Sequence, residues 1–448
     1  MANRLFGTDG VRGVANAEPI TSETALKLGR ALAHVFKAQP ARHHRILIGK
    51  DTRLSGYMLE TAMASGICSM GADVLLVGPL PTPGIAFLAR SMRADAGVVI
   101  SASHNPFQDN GIKFFSREGF KLDDETERRI EELVFDDGAL AHLRASGGEI
   151  GKAARIDDAI GRYLVFLKGC VPRAVTFDGL KLVIDCANGA AYKVAPDALT
   201  ELGADIVALG VDPDGKNINL GCGTLYPEKL REAVLREGAQ AGIALDGDGD
   251  RALLVDERGE VFDGDDVMAA MGLRMAAAGR LAGGAVVATV MSNFGLELAL
   301  RSKGARLVRT EVGDPAVARE MRTGGYNLGG EQSGHVIFRD LAPTGDGLLS
   351  GLMLAELIVR RGPLAELAGA AWRRVPQELF SVSREHFNDH HVQAILNELL
   401  ATYGVDRHDV RLLVRPSGTE PVVRVMIEAR NAEFVEVFAE RLQALYGA

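Results

Sequence analysis

The sequence predicts a four-domain α/β protein, in which three similar α/β domains and a smaller C-terminal α+β domain surround a central cleft. Three observations lead to this prediction. A strand, a helix and a second strand recur three times in the first three quarters of the chain, the last quarter has a different order of elements, and one unusual polar loop falls in each of the four units. A chain of 448 residues has room for two to four domains.

Each repeated unit begins with a short apolar strand, continues with a helix and returns to a strand after a Gly-Ala pair. A glycine just after the last residue of a helical pattern is a usual helix end. A third strand in each unit leads into a polar loop, and loops at the carboxyl ends of strands are where α/β sheets bind ligands. The first strands are predicted at 46–49, 182–185 and 285–289, and the third strands at 96–100, 241–245 and 326–328.

The last quarter of the chain does not repeat this unit. Two strands follow each other directly there, which is typical of an α+β domain. The strands are predicted at 378–382, 410–414 and 422–428, and the helices at 391–403 and 433–446. The four domains are predicted to span residues 1–152, 153–256, 257–370 and 371–448.

Composition and charge exclude several classes of function. The chain carries 50 Lys and Arg against 59 Asp and Glu, a net charge of −9, and it has no basic block, so we expect no nucleic-acid partner. It has neither a signal-like start nor an apolar run of about 18 residues, so we expect a cytoplasmic protein without a membrane partner. Its four cysteines lie far apart, without the C-x-x-C spacing of a redox or zinc site.

The polar loop of the first domain is Ile100-Ser-Ala-Ser-His-Asn-Pro106. Its place at a strand end makes Ser103 a candidate nucleophile, and a plain turn in which Ser and Asn bond to their own backbone is the alternative. Ser103 and His104 are neighbours, and neighbours on an extended chain point to opposite sides, so we expect no hydrolase pair. The chain also lacks a G-x-S-x-G elbow, which disfavours acyl transfer.

The loop of the second domain has carboxylates at alternate positions, Asp246, Asp248 and Asp250. Crowded carboxylates repel each other unless a cation lies among them, and the glycines between them let the backbone bend so that three oxygens converge on one ion such as Mg²⁺. An EF-hand is excluded, because Arg251 stands where that loop needs glycine and both flanks are strand-like. An acidic solvated turn is the alternative, and the apolar flanks argue against it.

The loop of the third domain, Gly329-Gly-Glu-Gln-Ser-Gly-His335, combines a carboxylate, a hydroxyl and an imidazole within a few residues. Sugar hydroxyls need hydrogen-bond donors and acceptors together, so Glu331, Ser333 and His335 suit a polyol. A glycine-rich turn with a capping serine is the alternative.

The loop of the fourth domain, Arg415-Pro-Ser-Gly-Thr-Glu-Pro421, offers a guanidinium, two hydroxyls and a turn that glycine permits. Such groups can cradle a phosphate monoester, and a plain β-turn is the alternative. The chain has no G-x-x-x-x-G-K-[ST] motif, so a nucleoside triphosphate is not indicated. A serine, a cation, a hydroxyl-binding loop and a phosphate cradle together indicate phosphoryl transfer to and from a sugar.

The four loops and the opening motif Phe6-Gly-Thr-Asp-Gly-Val-Arg12 resemble, in this order, those of the α-D-phosphohexomutase superfamily, and the resemblance covers essentially the whole chain. It implies a heart-shaped fold of four domains around a deep cleft. It also implies an isomerase that interconverts glucosamine 6-phosphate and glucosamine 1-phosphate, for the synthesis of UDP-N-acetylglucosamine and cell-wall precursors. A mutase for mannose or glucose phosphates, a metal-dependent sugar phosphatase and a non-catalytic sugar-phosphate sensor are the alternatives.

The resemblance also implies roles for the loop residues. Ser103 would carry the transferable phosphate and would bind one Mg²⁺ together with Asp246, Asp248 and Asp250. A hexosamine bisphosphate would be intermediate and activator, a sugar phosphate would be the partner, and a homodimer is compatible with the resemblance. The sugar hydroxyls would be bound by Glu331, Ser333 and His335, and the phosphate that does not react by Arg415, Ser417, Gly418 and Thr419.

Proton transfer falls, by the same resemblance, to basic residues around the serine, namely Lys113, Arg12, His104 and His335, while Arg251 would steady the metal loop or the phosphoryl group. We expect the pKa of Lys113 to fall toward neutrality, because a nearby cation disfavours the ammonium form. Electrostatic support of the phosphoserine is the alternative role for Lys113, and a pure hydrogen-bonding role is the alternative for His335.

Overall fold

The structure of the protein, a computed structural model, describes residues 4–7, 9–37, 44–136, 138–417 and 421–447, with the backbone alone at 368–371. Three mixed sheets, each packed with helices, and one antiparallel sheet follow one another along the chain. The predicted fold class is therefore confirmed.

The first domain is built on a six-stranded sheet. Its three central strands run parallel to one another. One of them, at Ala96–Ile100, is buried along its whole length, because helices cover the sheet. The strands are β1 (Val11–Val14), β2 (Arg45–Lys50), β3 (Asp73–Pro79), β4 (Ala96–Ile100), β5 (Asp109–Ser116) and β6 (Ala153–Arg155), in the order β1-β5-β4-β2-β3-β6. The helices are α1 (Ser22–Phe36), α2 (Gly56–Ser69), α3 (Thr82–Ser91) and α4 (Asp124–Phe135). β6 follows the predicted boundary at residue 152 and pairs with β3, and the domain boundaries stay predictions.

The second domain has a five-stranded sheet. Its strands are β7 (Lys181–Asp185), β8 (Asp205–Leu209), β9 (Ala241–Leu245), β10 (Ala252–Asp256) and β11 (Val261–Phe262), in the order β11-β10-β9-β7-β8. The helices are α5 (Ala159–Cys170), α6 (Val194–Glu201) and α7 (Glu228–Glu237). β9 and β10 form an antiparallel hairpin that pairs Leu245 with Ala252, so the acidic loop is the turn of this hairpin.

The third domain has a four-stranded sheet. Its strands are β12 (Ala285–Thr289), β13 (Arg306–Thr310), β14 (Leu328–Gly330) and β15 (Val336–Phe338), in the order β13-β12-β14-β15. The helices are α8 (Gly264–Ala277), α9 (Phe294–Ser302), α10 (Asp314–Gly324), α11 (Gly347–Arg361) and α12 (Leu364–Ala371).

One predicted strand of the third domain is displaced. We predicted it at 326–328, and β14 lies at 328–330 instead. Gly329 and Gly330, which have little intrinsic preference for strands, pair with both β12 and β15. A Cβ atom at Gly329 would lie 2.8 Å from the carbonyl oxygen of Val287, so close packing against the neighbouring strand favours glycine here over local propensity.

The fourth domain has a three-stranded antiparallel sheet with two helices. Its strands are β16 (Gln377–Ser383), β17 (Val410–Pro416) and β18 (Val422–Ala429), in the order β16-β18-β17, and its helices are α13 (Asp389–Tyr403) and α14 (Ala432–Tyr446). Each predicted element of this domain is present, with ends that differ by one or two residues. Single turns of 3₁₀ helix elsewhere lie at Ala141–Leu143, Gly147–Glu149, Gly223–Leu225 and Ala282–Gly284, and one in this domain lies at Arg407–Asp409.

The first three domains share a cluster of buried apolar side chains, and the fourth domain has a separate one. One cluster of buried apolar side chains runs through the first three domains and includes Leu47, Leu245 and Leu352. A separate cluster around Val425 and Phe438 forms the core of the fourth domain. The fourth domain therefore has a core of its own.

Polar contacts with the backbone join the fourth domain to the third. Oε1 of Glu428 accepts a hydrogen bond from the amide of Phe294 at 2.8 Å, at the first turn of α9. Nη2 of Arg411 donates to the carbonyl of Val290 at 2.5 Å. Across the described ranges, no helix combines the length and the apolar composition that crossing a membrane requires.

Two glycines allow α1 and α2 to pack closely against each other. A Cβ atom on Gly66 of α2 would lie 2.2 Å from the carbonyl oxygen of Leu26, and one on Gly29 of α1 would lie 2.5 Å from that of Met63. We predict that Gly66→Ala destabilises the protein by about 1 to 3 kcal/mol, because backbone must move to make room for the methyl group. The matched control is Gly161→Ala in α5, where a Cβ atom meets nothing within 4 Å.

Gly161→Ala should stabilise the protein by about 0.5 to 1 kcal/mol, because alanine loses less conformational freedom in a helix than glycine does. Thermal unfolding followed by circular dichroism measures both effects. An unchanged or raised Tm for Gly66→Ala would show that the two helices have room to separate.

Candidate active site

Three carboxylates lie together at the turn of the β9–β10 hairpin. Asp246, Asp248 and Asp250 are buried, and one oxygen from each lies within 4.8 Å of the other two. Gly249, with φ of +70°, permits the tight bend between them. Oδ1 of Asp248 and Oδ1 of Asp250 are buried without a hydrogen-bond partner among the described residues. Unsatisfied carboxylate oxygens are the ligands that hard divalent cations prefer, so the triad fits a metal ion.

The charges within the triad are uneven. Burial raises the pKa of Asp246 well above its usual range, and the neighbouring Asp250 and Asp248 raise it further. Burial would also raise the pKa of Asp248, but Lys113 and a hydrogen bond from Thr82 outweigh that effect and hold the pKa below its usual range. Of these two carboxylates, Asp248, opposite the lysine, is therefore the one that holds its negative charge more firmly.

Ser103 lies against the triad. It follows β4, is buried, and its Oγ donates a hydrogen bond to Oδ2 of Asp246 at 2.5 Å. Ser103 has φ of +52°, a left-handed conformation that is uncommon for a residue with a side chain. The loop of the first domain and the acidic turn of the second thus meet at this hydroxyl.

Our expectation that Ser103 and His104 point apart is wrong. Oγ of Ser103 lies 3.3 Å from Nδ1 of His104, because the left-handed backbone at Ser103 is not extended and turns both side chains to one side. Burial lowers the pKa of His104, and the positive charges of Arg251 and Arg12 lower it further. The imidazole is therefore neutral near pH 7 and can accept a proton.

Lys113, on β5, faces carboxylates on several sides. Its Nζ lies 3.0 Å from Oδ2 of Asp248, 3.1 Å from Oδ2 of Asp9 and 4.0 Å from Oδ2 of Asp250. Burial alone would lower the pKa of the amine, but these carboxylates raise it far above its usual range. These carboxylates favour the charged ammonium form, and the expected fall of the pKa toward neutrality beside a bound cation stays a prediction.

Asp9 of the opening motif connects several cations. It pairs with Arg12 and Lys113, and its Oδ1 lies 2.5 Å from Nζ of Lys121. Burial would raise the pKa of Asp9, but the positive charges of Lys113, Lys121 and Arg12 hold it well below its usual range. Lys121 also lies 2.6 Å from Oδ2 of Asp314 at the start of α10, so it bridges the first and third domains.

His335 of the third-domain loop is buried beside the triad. Its Nδ1 lies 3.5 Å from Oδ2 of Asp250, and its Nε2 lies 3.7 Å from Oδ2 of Asp314 and accepts a hydrogen bond from the amide of Gly345 at 3.1 Å. Burial would lower the pKa of His335, but the hydrogen bond to Asp250 and the charge of Asp314 raise it. The amide of Gly345 favours the tautomer with its proton on Nδ1, aimed at Asp250.

The rest of the third-domain loop packs against the acidic turn. Oε1 of Glu331 accepts from the amide of Gly313 at 3.0 Å, and the carbonyl of Gly334 accepts from the amide of Ala252 at 3.1 Å. Ser333 is exposed. Arg251 donates from its backbone amide to Oδ1 of Asp246 at 3.2 Å, and its charged side chain lies beside Asp250.

The loop of the fourth domain is placed differently. Nη2 of Arg415 lies 3.8 Å from Sδ of Met291 in the third domain, and the amide of Ser417 donates to the carbonyl of Val422 at 2.8 Å. Gly418 and Thr419 lie outside the described residues. The contacts that gather the other predicted residues around Ser103 do not include Arg415.

Several residues of the site were not predicted. Thr82 donates to Oδ2 of Asp248 at 2.8 Å from the first turn of α3, a position that Pro-Thr-Pro after a strand could have indicated. Arg53 and Asn219 bind the backbone of the first-domain loop at residues 100–106, which we call the serine loop. The polar triplet Asp51-Thr-Arg53 after β2 was a signal for Arg53, whereas nothing in the local pattern pointed to Asn219.

A cavity of about 370 Å³ opens beside this cluster. Asp9, Lys113 and Lys121 line it from the first domain, and 312–313 line it from the third. Apolar side chains such as Phe6 and Phe114 also line it, and neither Ser103 nor the three aspartates do.

Models of one family match the chain in four segments. They are described as phosphoglucomutase/phosphomannomutase alpha/beta/alpha domain I at residues 3–140, domain II at 162–259, domain III at 263–375 and the C-terminal domain at 387–445. The order of the four matches is that of the four sheets.

Relatives and solved structures agree with these matches. The phosphoglucosamine mutase of Syntrophotalea carbinolica is 57% identical, over 99% of this chain and 97% of its own, and that of Anaeromyxobacter dehalogenans is 56% identical, over 99% and 98%. A crystal structure of a phosphoglucomutase/phosphomannomutase family protein from Burkholderia thailandensis superposes with a TM-score of 0.80 at 26% identity, over 98% and 97% of the two chains.

A more distant structure shares the fold alone. The N-acetylphosphoglucosamine mutase of Aspergillus fumigatus, in complex with GlcNAc-6P and magnesium, superposes with a TM-score of 0.62 at 18% identity, over 99% of this chain and 95% of its own. The chain therefore belongs to the phosphohexomutase family, and it groups with the phosphoglucosamine mutases of that family.

Proposed function

We propose that this enzyme interconverts glucosamine 6-phosphate and glucosamine 1-phosphate through a phosphoserine at Ser103 and a bisphosphorylated hexosamine. The observation that carries the proposal is the hydrogen bond of 2.5 Å between Oγ of Ser103 and Asp246 within the carboxylate triad. Near-full-length identity to phosphoglucosamine mutases supports the choice of an amino sugar.

The proposed metal is Mg²⁺, held by the three aspartates and a phosphoserine oxygen. When bound, it supplies positive charge that stabilises the phosphoryl oxygens. The chain's own residues orient the reactants around it. Lys113 adds a fixed positive charge beside Asp248, and Thr82 holds Oδ2 of Asp248 in place.

Two half-reactions account for the interconversion. In the first, the C1 hydroxyl oxygen of glucosamine 6-phosphate forms a bond to phosphorus, the bond from phosphorus to Oγ of Ser103 breaks, and the hydroxyl proton ends on Oγ. In the second, Oγ forms a bond to the phosphorus at C6, the bond to the C6 oxygen breaks, and the proton ends on that oxygen. The enzyme is then phosphorylated again, and the sugar is glucosamine 1-phosphate.

His104 is the proposed proton relay. Its Nδ1 lies 3.3 Å from Oγ of Ser103, and its lowered pKa keeps the imidazole neutral and able to take a proton in passing. His335, which is aimed at Asp250, and Arg12, which pairs with Asp9, are not proposed as proton relays. They would hold these two carboxylates in place around the reacting groups. Arg251, whose side chain lies beside Asp250, would contact phosphoryl oxygens.

Substrate binding is proposed for the third- and fourth-domain loops. Glu331 and Ser333 would bind sugar hydroxyls, whereas both ring nitrogens of His335 are already engaged by Gly345 and Asp250. Arg415 and Ser417, with Gly418 and Thr419, would bind the phosphate that does not react. A hexosamine bisphosphate would serve as intermediate and activator. A homodimer, a cytoplasmic location and the lack of a nucleic-acid partner stay predictions.

The first prediction from this function concerns the preferred substrate and the phosphorylation of Ser103. We expect turnover of glucosamine 6-phosphate to exceed that of mannose and glucose 6-phosphates, and intact-mass analysis with peptide mapping to find phosphate on Ser103. Incubation with glucose 1,6-bisphosphate should raise the phosphorylated fraction. Ser103→Ala is the control, because it removes the acceptor oxygen.

Two results would select the alternatives. A preference for mannose or glucose phosphate would identify a sister mutase, and steady release of inorganic phosphate without isomerisation would identify a phosphatase. No label on Ser103 after incubation with the bisphosphate would overturn the phosphoserine mechanism.

A second prediction concerns the triad. We expect Asp248→Asn to lower kcat about 100-fold, because it removes one of the charges that bind the metal ion. The protein should stay folded, because Lys113 keeps Asp9 and Asp250 as partners and the amide oxygen can still accept from Thr82. Chelation of the wild-type protein should abolish turnover, and added Mg²⁺ should restore it. The control is Asp212→Asn, at an exposed position of the second domain. Wild-type turnover of Asp248→Asn in saturating Mg²⁺ would contradict the assignment.

A third prediction concerns the relay. We expect His104→Gln to lower kcat about 100-fold with little change in KM, because the amide can hydrogen-bond to Oγ but cannot carry the proton. His142→Gln, at an exposed position, is the control. Steady-state kinetics on the fully phosphorylated enzyme separates kcat from KM. An unchanged kcat would show that another residue relays the proton.

A further inference from the structure

Arg53 is a fully buried arginine whose hydrogen bonds go largely to the serine loop. Its Nη2 donates to the carbonyls of Ser103 at 2.9 Å and Asn105 at 2.8 Å. Its Nη1 donates to the carbonyls of Pro106 and Asp109, the latter at 3.1 Å. Burying a guanidinium is costly unless its donors are satisfied, and four backbone carbonyls satisfy them here.

A second path leads from Arg53 to the same serine. Nε of Arg53 donates to Oδ2 of Asp51 at 2.8 Å, and that oxygen also accepts from Oγ of Ser101 at 2.5 Å. Oγ of Ser101 in turn accepts from the backbone amide of Ser103 at 3.0 Å. Both the amide and the carbonyl of Ser103 are therefore fixed by groups that Arg53 organises.

Asn219 holds the loop from the second domain. Its Nδ2 donates to the carbonyls of Ser103 at 2.9 Å and Asn105 at 3.0 Å, the same two acceptors that Arg53 uses. Asn219 is buried, has φ of +59°, and its backbone amide is fixed to the carbonyl of Ala187 at 2.9 Å.

The acidic turn meets the loop at the same carbonyl. A Cβ atom on Gly247 would lie 2.6 Å from the carbonyl oxygen of Ser103 and 2.8 Å from Nδ2 of Asn219. The turn that carries the aspartates can thus approach the serine only because Gly247 has no side chain. Any shift of this carbonyl would move Oγ relative to the triad.

We propose that Arg53 and Asn219 are positioning residues that clamp the serine loop from two domains and hold Oγ of Ser103, at its strained left-handed backbone, toward the triad. This inference rests on the proposed function. Neither residue contacts the reacting atoms. Both act through the backbone of residues 103 and 105, so their loss slows phosphoryl transfer without weakening the binding of the sugar.

Asn219→Gly is the variant that tests the clamp. Glycine adopts the left-handed backbone freely, and the carbonyls of Ser103 and Asn105 keep their bonds to Arg53, so the fold should persist. We expect the rate at which glucose 1,6-bisphosphate phosphorylates Ser103 in a single turnover, and also kcat, to fall about 10- to 100-fold, since a small misplacement of a reacting group costs that much. KM should stay within about twofold of the wild-type value, because a positioning residue acts on the transfer step.

Asn16→Gly is the matched control, because Asn16 is exposed and has φ of +63°, so the substitution makes the same change in the same backbone conformation. It should leave the labelling rate and kcat unchanged. Asn219→Asp keeps the shape of the side chain and replaces the donor by an acceptor, so its rate of Ser103 phosphorylation should fall as that of Asn219→Gly does. It replaces the glycine variant in the test if that variant has a much lower Tm.

The outcomes are distinct. Labelling of Asn219→Gly at the wild-type rate, or a raised KM with unchanged kcat, would overturn the clamp and leave the proposed function intact. A Tm that falls in both Asn219 variants, in proportion to their lost activity, would overturn it in favour of a structural role. A wild-type protein that glucose 1,6-bisphosphate fails to phosphorylate would overturn the proposed function, and the clamp with it.

Discussion

The repulsion among three buried carboxylates at one hairpin turn is the constraint on which the rest of the site depends. A turn with Asp246, Asp248 and Asp250 so close together is unfavourable unless groups from elsewhere compensate their charge. The compensating groups come from the first domain, as the ammonium of Lys113 and the hydroxyls of Thr82 and Ser103. Electrostatics thus adds to the shared apolar core in fixing the first two domains against each other.

The third domain joins this arrangement through alternating charges. Lys121 lies between Asp9 and Asp314, and His335 lies between Asp314 and Asp250. Carboxylates therefore alternate with Lys121 and the imidazole of His335 from the opening motif to the acidic turn. Because Lys121 pairs with two carboxylates, removing Asp9 or Asp314 leaves a partly buried charge without one of its partners, which costs more than the pair contributes.

The sequence predicted the elements and the chemistry better than it predicted the contacts. Regular apolar patterns placed most strands and helices, whereas β14 was displaced because close packing selects glycines that local propensity disfavours. Ser103 and the aspartates were found from motifs. The proximity of Ser103 to His104 depends on a left-handed backbone. The raised pKa of Lys113 depends first on Asp248, 135 positions later in the chain, and then on Asp9, so neither could be read from local spacing.

The fourth domain folds around apolar residues of its own and meets the third through hydrogen bonds at Val290 and Phe294. Among the residues that the structure describes, the charged cluster around Ser103 contains none of the fourth domain. Under the proposed function, the binding of the phosphate that does not react and the chemistry of transfer belong to separable parts of the polypeptide. Under the same function, mutation or design of the fourth domain can alter how the phosphate that does not react is held without rebuilding the machinery that moves the phosphoryl group.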